Sequence, residues 1–549
     1  MQPSLDRAAL VLSVLLAIGT VAVTAMACVS ATDGRLVYAL DDAYIHLAMG
    51  RTLAESGIWG INAQTPGAAS SSPLWTLLMA GLSALLGSHE WLPLALNLLA
   101  AGVLALAADA WLRELGLTSA GRVLTVVAII LVGPLGPLAM TGMEHVAHAA
   151  AVLALALLAL RERPAHPLAL ALMGAVATGL RYESAFVAAA LAVVLGLRRD
   201  WRRAVAVVAG SAALVTAVGV WQLSMGEGFL PNSLIVKAAG VTRETALAWL
   251  KGKGYGAMER AYETPLVALP LLAVLLAYAA SPRRTDMASA LPSPAVLCAE
   301  TAAVLALATL LHVGLSRTGW YHRYEAYLLI WGVVAVAGSL QAWRLGRAEV
   351  QRRALAGRAR MPALIGLAGV GLLLLLALGL RINAYTTVAT ACRNIYQQHA
   401  QVARLVQRFY QDEPLVIHDI GYVGYVSRGP ILDIGGLASH EVAVAKSHGW
   451  VDQGYVVRAA REHGARLAIS YAHGWVPGSW VRLASWRISD NRVAGSDTVL
   501  FFALQPDAAQ ALLTDLRSFE ADLPDGVQVR YLLSDQAGGT PRDAPTQTR

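Results

Sequence analysis

Charged residues are scarce in this chain of 549 residues. Asp, Glu, Lys and Arg together make up 14% of it, whereas hydrophobic residues make up 56%. A soluble domain ordinarily has about 25% charged and about 45–50% apolar residues. The shortage of charge therefore excludes a soluble protein over most of the length and predicts a polytopic α-helical membrane protein.

Cysteine is also rare, and the positive charge is dispersed. The three cysteines, Cys28, Cys298 and Cys392, are far apart and have no metal-ligand spacing. The formal net charge is +7, but the basic residues fall in short clusters between apolar runs, which is the pattern of membrane orientation. We therefore expect neither a cysteine metal centre nor a nucleic-acid partner.

The apolar runs predict about eleven transmembrane helices, since a span needs roughly 20 apolar residues. They lie near residues 8–30, 91–112, 123–141, 146–160, 165–181, 184–197, 204–223, 264–280, 294–314, 325–343 and 362–380. The apolar run at 74–87 is shorter and lies between Pro73 and Gly87. We read it as a re-entrant or interfacial helix within a first outer loop at residues 31–90.

Basic residues set the expected orientation. With the N-terminus in the cytoplasm, the cytoplasmic loops receive the densest arginine clusters, such as those at residues 198–203 and 344–360. The same topology places every motif-like group of polar residues at the outer face. We expect a multi-pass protein of the bacterial cytoplasmic membrane, whose transmembrane domain covers residues 1–382.

The composition becomes that of a soluble protein after the last predicted span. Predicted helices at 397–410, 456–463 and 508–518 alternate with predicted strands at 414–418, 465–471 and 499–504. This alternation predicts a small α/β domain over residues 383–533, outside the cytoplasm. Residues 534–549 are rich in Gly, Pro, Asp, Gln and Thr, and we expect them to be disordered.

Two adjacent carboxylates, Asp41 and Asp42, follow the first predicted span. One of them is expected to cap a helix that ends at Gly57, which leaves the other free. Adjacent carboxylates raise each other's proton affinity, and this suits a general base or a cation site. Either aspartate is a candidate catalytic residue.

Four further polar groups interrupt the apolar sequence at the outer face, and each has a structural alternative. One group is Glu144 with His145, which is typical of sugar-hydroxyl binding but also of a solvated loop end. Another is Arg181, Tyr182 and Glu183, which is typical of lipid-phosphate binding or of a simple ion pair at a turn. Asn232 with Lys237 suits an anion at a helix start or a snorkelling lysine. Tyr321, His322 and Arg323 suit a phosphate and a stacked sugar, or an interfacial aromatic belt.

These motifs, in this order, resemble the GT-C superfamily of polyprenyl-phosphate-sugar glycosyltransferases. More narrowly, Asp41 to Ile45, Ser72 to Trp75, Gly142 to Glu144, Leu230 to Ser233 with Lys237, and Asp419 to Tyr425 resemble the mycobacterial terminal β-(1→2)-arabinofuranosyltransferase family. The resemblance implies a GT-C fold, a decaprenyl-phosphate arabinofuranose donor and a catalytic aspartate in the first outer loop.

We therefore predict an inverting glycosyltransferase that acts on a lipid-linked sugar donor and an extracytoplasmic glycan or glycolipid acceptor. Asp41 is the predicted base, with Asp42 as the alternative, and phosphate binding is assigned to Arg181, Lys237 and Arg323. Sugar or acceptor binding is assigned to Glu144, His145, Tyr182, Glu183, Asn232, Tyr321 and His322. No organic cofactor is expected; a divalent cation held by Asp42 and Glu144 is an open alternative. The competing functions are a transporter or flippase of lipid-linked sugar and a non-enzymatic membrane scaffold.

Overall fold

The computed structural model describes residues 3–161, 163, 165–238, 269–274, 293–353, 379, 381–472 and 476–533. The helices of the N-terminal two thirds are α1 (Pro3–Ser30), α2 (Asp42–Ser56), α3 (Pro73–Leu86), α4 (Leu92–Glu114), α5 (Ser119–Val132), α6 (Leu135–Ala139), α7 (His145–Leu160), α8 (Pro167–Leu180), α9 (Ser184–Leu197), α10 (Trp201–Ser224), α11 (Asn232–Ala238), α12 (Ser293–Leu315) and α13 (Ala326–Arg353). Residues 381–397 are also helical.

Five helices in the described part of the chain are long and apolar enough to cross a membrane. They cover Ser4–Ser30, Leu92–Glu114, Trp201–Ser224, Val296–Leu315 and Ala326–Arg344. Shorter apolar helices form at Pro73–Leu86, Ser119–Val132, His145–Leu160, Pro167–Leu180 and Ser184–Leu197. The helices α1, α4 and α7 pack side by side, as do α8, α9 and α10.

The structure divides one of the predicted spans, and its helices at the predicted spans 146–160, 165–181 and 184–197 have fewer than 18 residues. The apolar run at 123–141 is not one helix, because α5 ends at Val132 and the five-residue α6 follows. Gly133 and Pro134 separate them, and a proline disfavours helical geometry in the residue before it. Only residues 269–274 of the predicted span at 264–280 and residue 379 of the one at 362–380 are described, and the predicted disordered tail lies outside the described residues.

Residues 31–90, the segment predicted as the first outer loop, fold into two helices and a short hairpin. Helix α2 ends at Gly57, which adopts a left-handed φ of 71°. The Gly57 N–H donates a hydrogen bond to the Leu53 carbonyl oxygen. Strands β1 (Gly60–Asn62) and β2 (Thr65–Pro66) then pair antiparallel, and α3 begins with Pro73 at its first turn. The helix α3 therefore forms where the apolar run 74–87 predicts one.

A six-stranded mixed sheet dominates the C-terminal region. Its strands are β3 (Leu415–Ile417), β4 (Ile431–Asp433), β5 (Leu467–Ser470), β6 (Val481–Ile488), β7 (Thr498–Ala503) and β8 (Val527–Tyr531), in the order β4-β3-β5-β7-β6-β8. Strand β3 is parallel to β4 and β5, and the remaining pairs are antiparallel. The accompanying helices are α14 (His399–Phe409), α15 (Gly421–Val426), α16 (His440–Ser447), α17 (Gln453–Glu462) and α18 (Ala509–Phe519).

One apolar cluster joins the first outer loop to this sheet. Trp59 and Ile61 of the loop are buried in the same cluster as Ile417, Val423 and Phe501. Burial of large side chains of this kind stabilises by roughly 1.5–3 kcal/mol each. The loop that carries Asp41 and Asp42 is therefore held between the apolar helices and the sheet.

Candidate functional site

A cavity of about 610 Å³ opens beside the start of α2. Its wall comes from the first outer loop, the ends of apolar helices, the loop before α13 and the segment after β4. The lining residues are Asp42, Ile45, His46, Ala69, Ser71, Met143, Arg181, Ser233, Arg323, Tyr324 and Leu437. Three residues predicted for the site, Asp42, Arg181 and Arg323, thus meet in one cavity.

Asp42 and Arg323 form an ion pair at this cavity. Nη1 of Arg323 donates to Oδ2 of Asp42 at 2.5 Å; the Asp42 side chain is 37% exposed, whereas that of Arg323 is 6% exposed. The Nε atom of Arg323 is buried and has no hydrogen-bond acceptor among the residues that the structure describes. The pair therefore offers an accessible carboxylate together with a guanidinium that can still bind an anion.

Arg181 is held by two carboxylates. It donates to both carboxylate oxygens of Glu183, at 3.1 and 2.6 Å, and its Nη1 donates to Oε1 of Glu144 at 3.1 Å. The ion pair at the turn, which the sequence leaves open as a structural alternative, is thus present. Arg181 still lines the cavity, and its guanidinium lies 5.6 Å from the centre of the Tyr324 ring.

Asp41 lies in a different environment from its neighbour. Its two carboxylate oxygens accept the backbone N–H groups of Gly421, at 2.7 Å, and Tyr422, at 2.9 Å. Asp41 occupies the N-cap position of α2 but makes no side-chain cap bond, and Asp42 is the first residue of the helix. Asp41 therefore takes the N-cap position that the sequence predicts for one of the two aspartates, but its side chain does not bond the first N–H groups of the helix.

A second polar group surrounds Asp41. Asp41, His399, His418, Asp419 and Tyr471 line a cavity of about 330 Å³. Within it, Asp419 accepts hydrogen bonds from His399, at 2.9 Å, and from Tyr471, and it pairs with His418 at 3.0 Å. Burial raises the pKa of Asp41 to about 6, and the negative charge of Asp419 adds to this rise.

Asn232 ties α11 to the C-terminal region and does not face the cavity. Its Nδ2 donates to the Leu437 carbonyl at 3.1 Å, and its Oδ1 lies 2.7 Å from Nδ1 of His440. Its neighbour Ser233 lines the cavity instead. Lys237 belongs to α11, but its side chain lies outside what the structure describes.

The remaining predicted residues are absent from the cavity wall. His145 is buried with Nε2 3.9 Å from Oε1 of Glu144, and Tyr182 and Tyr321 are half-buried. His322 is buried, and burial together with the charge of Arg381 lowers its pKa to about 3. Its ring is therefore neutral at physiological pH.

A metal site receives no support from the geometry. Within the described ranges, no three His, Cys, Asp or Glu side chains form a group that could hold a metal ion. Asp42 and Glu144, the two residues considered for a cation, are each paired with an arginine. A guanidinium competes for the oxygens that a hard cation would need, so no step is assigned to a metal.

Sequence reasoning did not assign several residues that build the site. His46 lies one turn after Asp42 in α2 and lines the same cavity, and its i, i+4 spacing is the signal that could have identified it. Tyr324 and Ser233 are immediate neighbours of predicted residues. Leu437 comes from a segment with no distinguishing pattern, and only the tertiary structure brings it to the cavity.

Chemically, the cavity combines a carboxylate that can accept a proton with two guanidinium groups. Asp42 is accessible, whereas both oxygens of Asp41 already accept backbone N–H groups. The two arginines can stabilise negative charge on a phosphate. The arrangement suits attack by a hydroxyl on a carbon whose leaving group is a phosphate.

Comparison with known proteins gives two kinds of similarity. Residues 393–502 match a family described as a domain of unknown function (DUF8728). The chain is also similar to two crystal structures of ArnT from Cupriavidus metallidurans, one bound to undecaprenyl phosphate and one in the apo state, with 15% and 16% identity and TM-scores of 0.47 and 0.49. Each alignment covers 89% of this chain and 98% of the other. No curated protein matches. These similarities assign no residue of the site.

Proposed function

We propose that this protein is a membrane glycosyltransferase that moves a sugar from a polyprenyl-phosphate donor to a hydroxyl group of a glycan or glycolipid, with inversion at the anomeric carbon. The observation that carries the proposal is the meeting of Asp42, Arg181 and Arg323 in one cavity. The apolar helices around the cavity supply the surroundings that a polyprenyl chain requires.

Asp42 is the base in this proposal. The acceptor hydroxyl oxygen attacks the anomeric carbon and forms the new glycosidic bond, while the bond between that carbon and the donor phosphate oxygen breaks. Asp42 takes the proton of the attacking hydroxyl, and the bonding electrons leave with the polyprenyl phosphate. General-base catalysis of this kind contributes roughly 10²–10⁴-fold in rate.

Arg323 stabilises the leaving phosphate and also controls the base. In the structure it is paired with Asp42, and its Nε–H has no acceptor among the described residues. A phosphate that binds this guanidinium weakens the hold on Asp42, which frees the carboxylate for the acceptor proton. Arg181, kept in place by Glu144 and Glu183, supplies the second positive charge.

The sequence motifs suggest the donor sugar and the side of the membrane on which the reaction takes place. Decaprenyl-phosphate arabinofuranose is the first donor to test, because the short motifs between Asp41 and Tyr425 resemble those of the arabinofuranosyltransferase family. We place the reaction at the outer face of a bacterial cytoplasmic membrane, where the positive-inside pattern puts these motifs. The C-terminal region guides the acceptor, since it contributes Leu437 to the cavity wall.

Transfer by the full-length protein in nanodiscs tests the proposal. The substrates are a panel of polyprenyl-phosphate sugars that includes decaprenyl-phosphate arabinofuranose, together with glycan acceptors of the cell envelope. We expect one donor to give a glycosylated product of inverted anomeric configuration and one equivalent of polyprenyl phosphate. Donor binding followed by movement of the intact donor across a bilayer, without transfer, would support a transporter and contradict the proposal.

A further inference from the structure

Glu144 is a buried carboxylate with only one oxygen in use. The residue is fully buried, and its Oε1 accepts a hydrogen bond from Arg181. Its Oε2 has no hydrogen-bond partner among the residues that the structure describes. Buried polar atoms nearly always have a partner in a folded protein, so this oxygen can accept a hydrogen bond from a donor that the described residues do not supply.

His46 is the ring closest to that oxygen. Its Nε2 lies 3.7 Å from Oε2 of Glu144, while its Nδ1 lies 3.1 Å from Oγ1 of Thr76 and 3.3 Å from Oγ of Ser70. Burial lowers the pKa of His46, so the ring is neutral and carries one N–H group.

The hydroxyl groups around Nδ1 of His46 accommodate the tautomer that carries the ring hydrogen on Nε2. Ser70 Oγ accepts hydrogen bonds from Thr76 Oγ1, at 2.8 Å, and from the Ser72 backbone N–H, at 3.0 Å. Its own hydroxyl hydrogen is therefore available to Nδ1 of His46. In the tautomer in which Nδ1 accepts this bond, the ring hydrogen is on Nε2, which faces Glu144.

The separation of His46 and Glu144 suits an inserted hydroxyl group. A distance of 3.7 Å is too long for a direct hydrogen bond. A hydroxyl can accept the Nε2–H of His46 and donate its own hydrogen to Oε2 of Glu144. His46 lines the cavity on the same helical face as Asp42, which lies four residues earlier, whereas Glu144 is fully buried and does not line it. A hydroxyl that enters from the proposed reaction site therefore meets His46 first and reaches Oε2 of Glu144 through a shift of the His46 side chain.

We propose that His46 and Glu144 together bind one hydroxyl group of a sugar substrate in the Asp42 cavity and thereby select for sugars that carry it. This inference rests on the proposed function and adds the ligand chemistry: a neutral sugar hydroxyl that acts as donor and acceptor at once. That hydroxyl belongs to the transferred sugar or to the acceptor, and the test distinguishes the two. His46 is a specificity-determining residue, and the proton of the reaction goes to Asp42.

Monodeoxy analogues of the donor sugar and of the acceptor test the inference on the unmutated protein. We expect one analogue to lose roughly 10–100-fold in kcat/KM, because the missing hydroxyl leaves two buried polar groups, on His46 and Glu144, unpaired. The other analogues retain activity within about threefold. Loss with a donor analogue identifies the transferred sugar as the source of the hydroxyl, and loss with an acceptor analogue identifies the acceptor.

Variants connect the selectivity to the two residues. In His46→Ala and in Glu144→Gln, we expect the intact substrate and the deoxy analogue to differ by less than about threefold, since the site no longer pairs with the hydroxyl. His46→Gln, whose amide can still donate, should recover part of the discrimination. His89→Ala is the matched control, because His89 is exposed and lies outside the cavity wall.

Binding affinity is measured beside transfer, so that the two proposals fail separately. Wild-type protein that prefers the intact donor to its deoxy analogue in binding, but transfers no sugar, would contradict the proposed function and support the hydroxyl site. Full discrimination in folded His46→Ala, or equal use of every analogue by the wild type, would overturn the hydroxyl site while leaving the transferase intact.

Discussion

The Asp41 carboxylate accepts the backbone N–H of Gly421 at 2.7 Å, across 380 residues of sequence. A second bond, from the Tyr422 N–H to the other carboxylate oxygen, completes the contact. A Cβ atom added at Gly421 would lie 2.1 Å from the Asp41 carbonyl oxygen and 2.6 Å from Oδ2. Only glycine permits this approach, which holds the start of α2 and so places Asp42 at the cavity.

Substitution of Gly421 by alanine should therefore disturb the site from a distance. We expect Gly421→Ala to cost about 1–3 kcal/mol, because the added methyl group must push the Asp41 loop away. Thermal unfolding and kcat/KM for transfer measure the effect. Gly478→Ala is the matched control, since a Cβ there meets no atom within 4 Å. Equal behaviour of the two variants would show that the close approach is unimportant.

The polar group around Asp41 predicts a pH dependence of stability. Folding raises the pKa of Asp41 from 3.8 to about 6, mainly through burial. Burial also lowers the pKa of His399, but the carboxylates of Asp41 and Asp419 outweigh this and leave it above 6.5. Asp419 has a lowered pKa because, although burial opposes this, His399 and His418 hydrogen-bond its carboxylate.

Proton binding by the folded protein determines whether stability rises or falls with pH. Between pH 3.8 and about 6, the folded protein holds a proton on Asp41 that the unfolded chain has lost, and His399 acts likewise above pH 6.5. Stability therefore falls as the pH rises through these ranges, whereas Asp419 contributes in the opposite sense only below pH 3.8. We expect the Tm of Asp41→Asn to fall less between about pH 5 and 7.5 than that of the wild type. Identical slopes for the two proteins would refute this assignment.

We expect Arg323 to contribute mainly to binding of the donor phosphate. We expect Arg323→Gln to raise the donor KM by roughly 10–100-fold, because the phosphate loses a charged two-pronged partner. Arg323→Lys should recover only part of the loss, since lysine supplies the charge without the planar fork. Arg428→Gln, at an exposed arginine, is the control. A larger change in acceptor KM than in donor KM would contradict phosphate binding by Arg323.

Asp433 shapes the segment that brings Leu437 to the cavity. It is fully buried, and its carboxylate accepts N–H groups from Gly435 at 2.6 Å, Leu437 at 2.5 Å and Ala438 at 2.7 Å. Asp433→Ala leaves these donors unpaired, and we expect a loss of about 2–3 kcal/mol. Thermal unfolding beside Asp412→Ala, a substitution at an exposed aspartate, measures it. A Tm equal to that of the control would contradict the structural role.

Composition and local pattern predict part of this architecture. Apolar helices form at most of the expected runs that the structure describes, β3 and β5 lie within predicted strands, and β7 overlaps the predicted strand at 499–504. These features depend on the hydrophobicity and periodicity of neighbouring residues. The strands β4, β6 and β8 were not predicted. The break after α5 was missed because the run from 123 to 141 stays apolar across Gly133 and Pro134, and hydropathy does not register backbone geometry.

The site was predicted in outline only. Charged residues in an apolar chain identify Asp42, Arg181 and Arg323, because charge at such depth is costly unless it is used. The sequence predicts Asp41 as the base with Asp42 as the alternative, and our proposal reverses this order. The reason is the contact of Asp41 with Gly421, which lies in a distant segment. His46 resembles any buried helical histidine until the tertiary fold brings Glu144 within 3.7 Å of it.

The most direct measurement compares single-turnover transfer by Asp42→Asn and Asp41→Asn, with saturating donor. We predict that Asp42→Asn loses roughly 10²–10⁴-fold in rate while donor affinity changes little, because the base is gone and the phosphate site remains. The transfer rate of Asp41→Asn should stay within about tenfold of the wild-type rate. The control Glu55→Gln, at an exposed position of α2, should transfer at the wild-type rate. Full transfer by Asp42→Asn, or loss confined to Asp41→Asn, would contradict the assignment of Asp42 as the base.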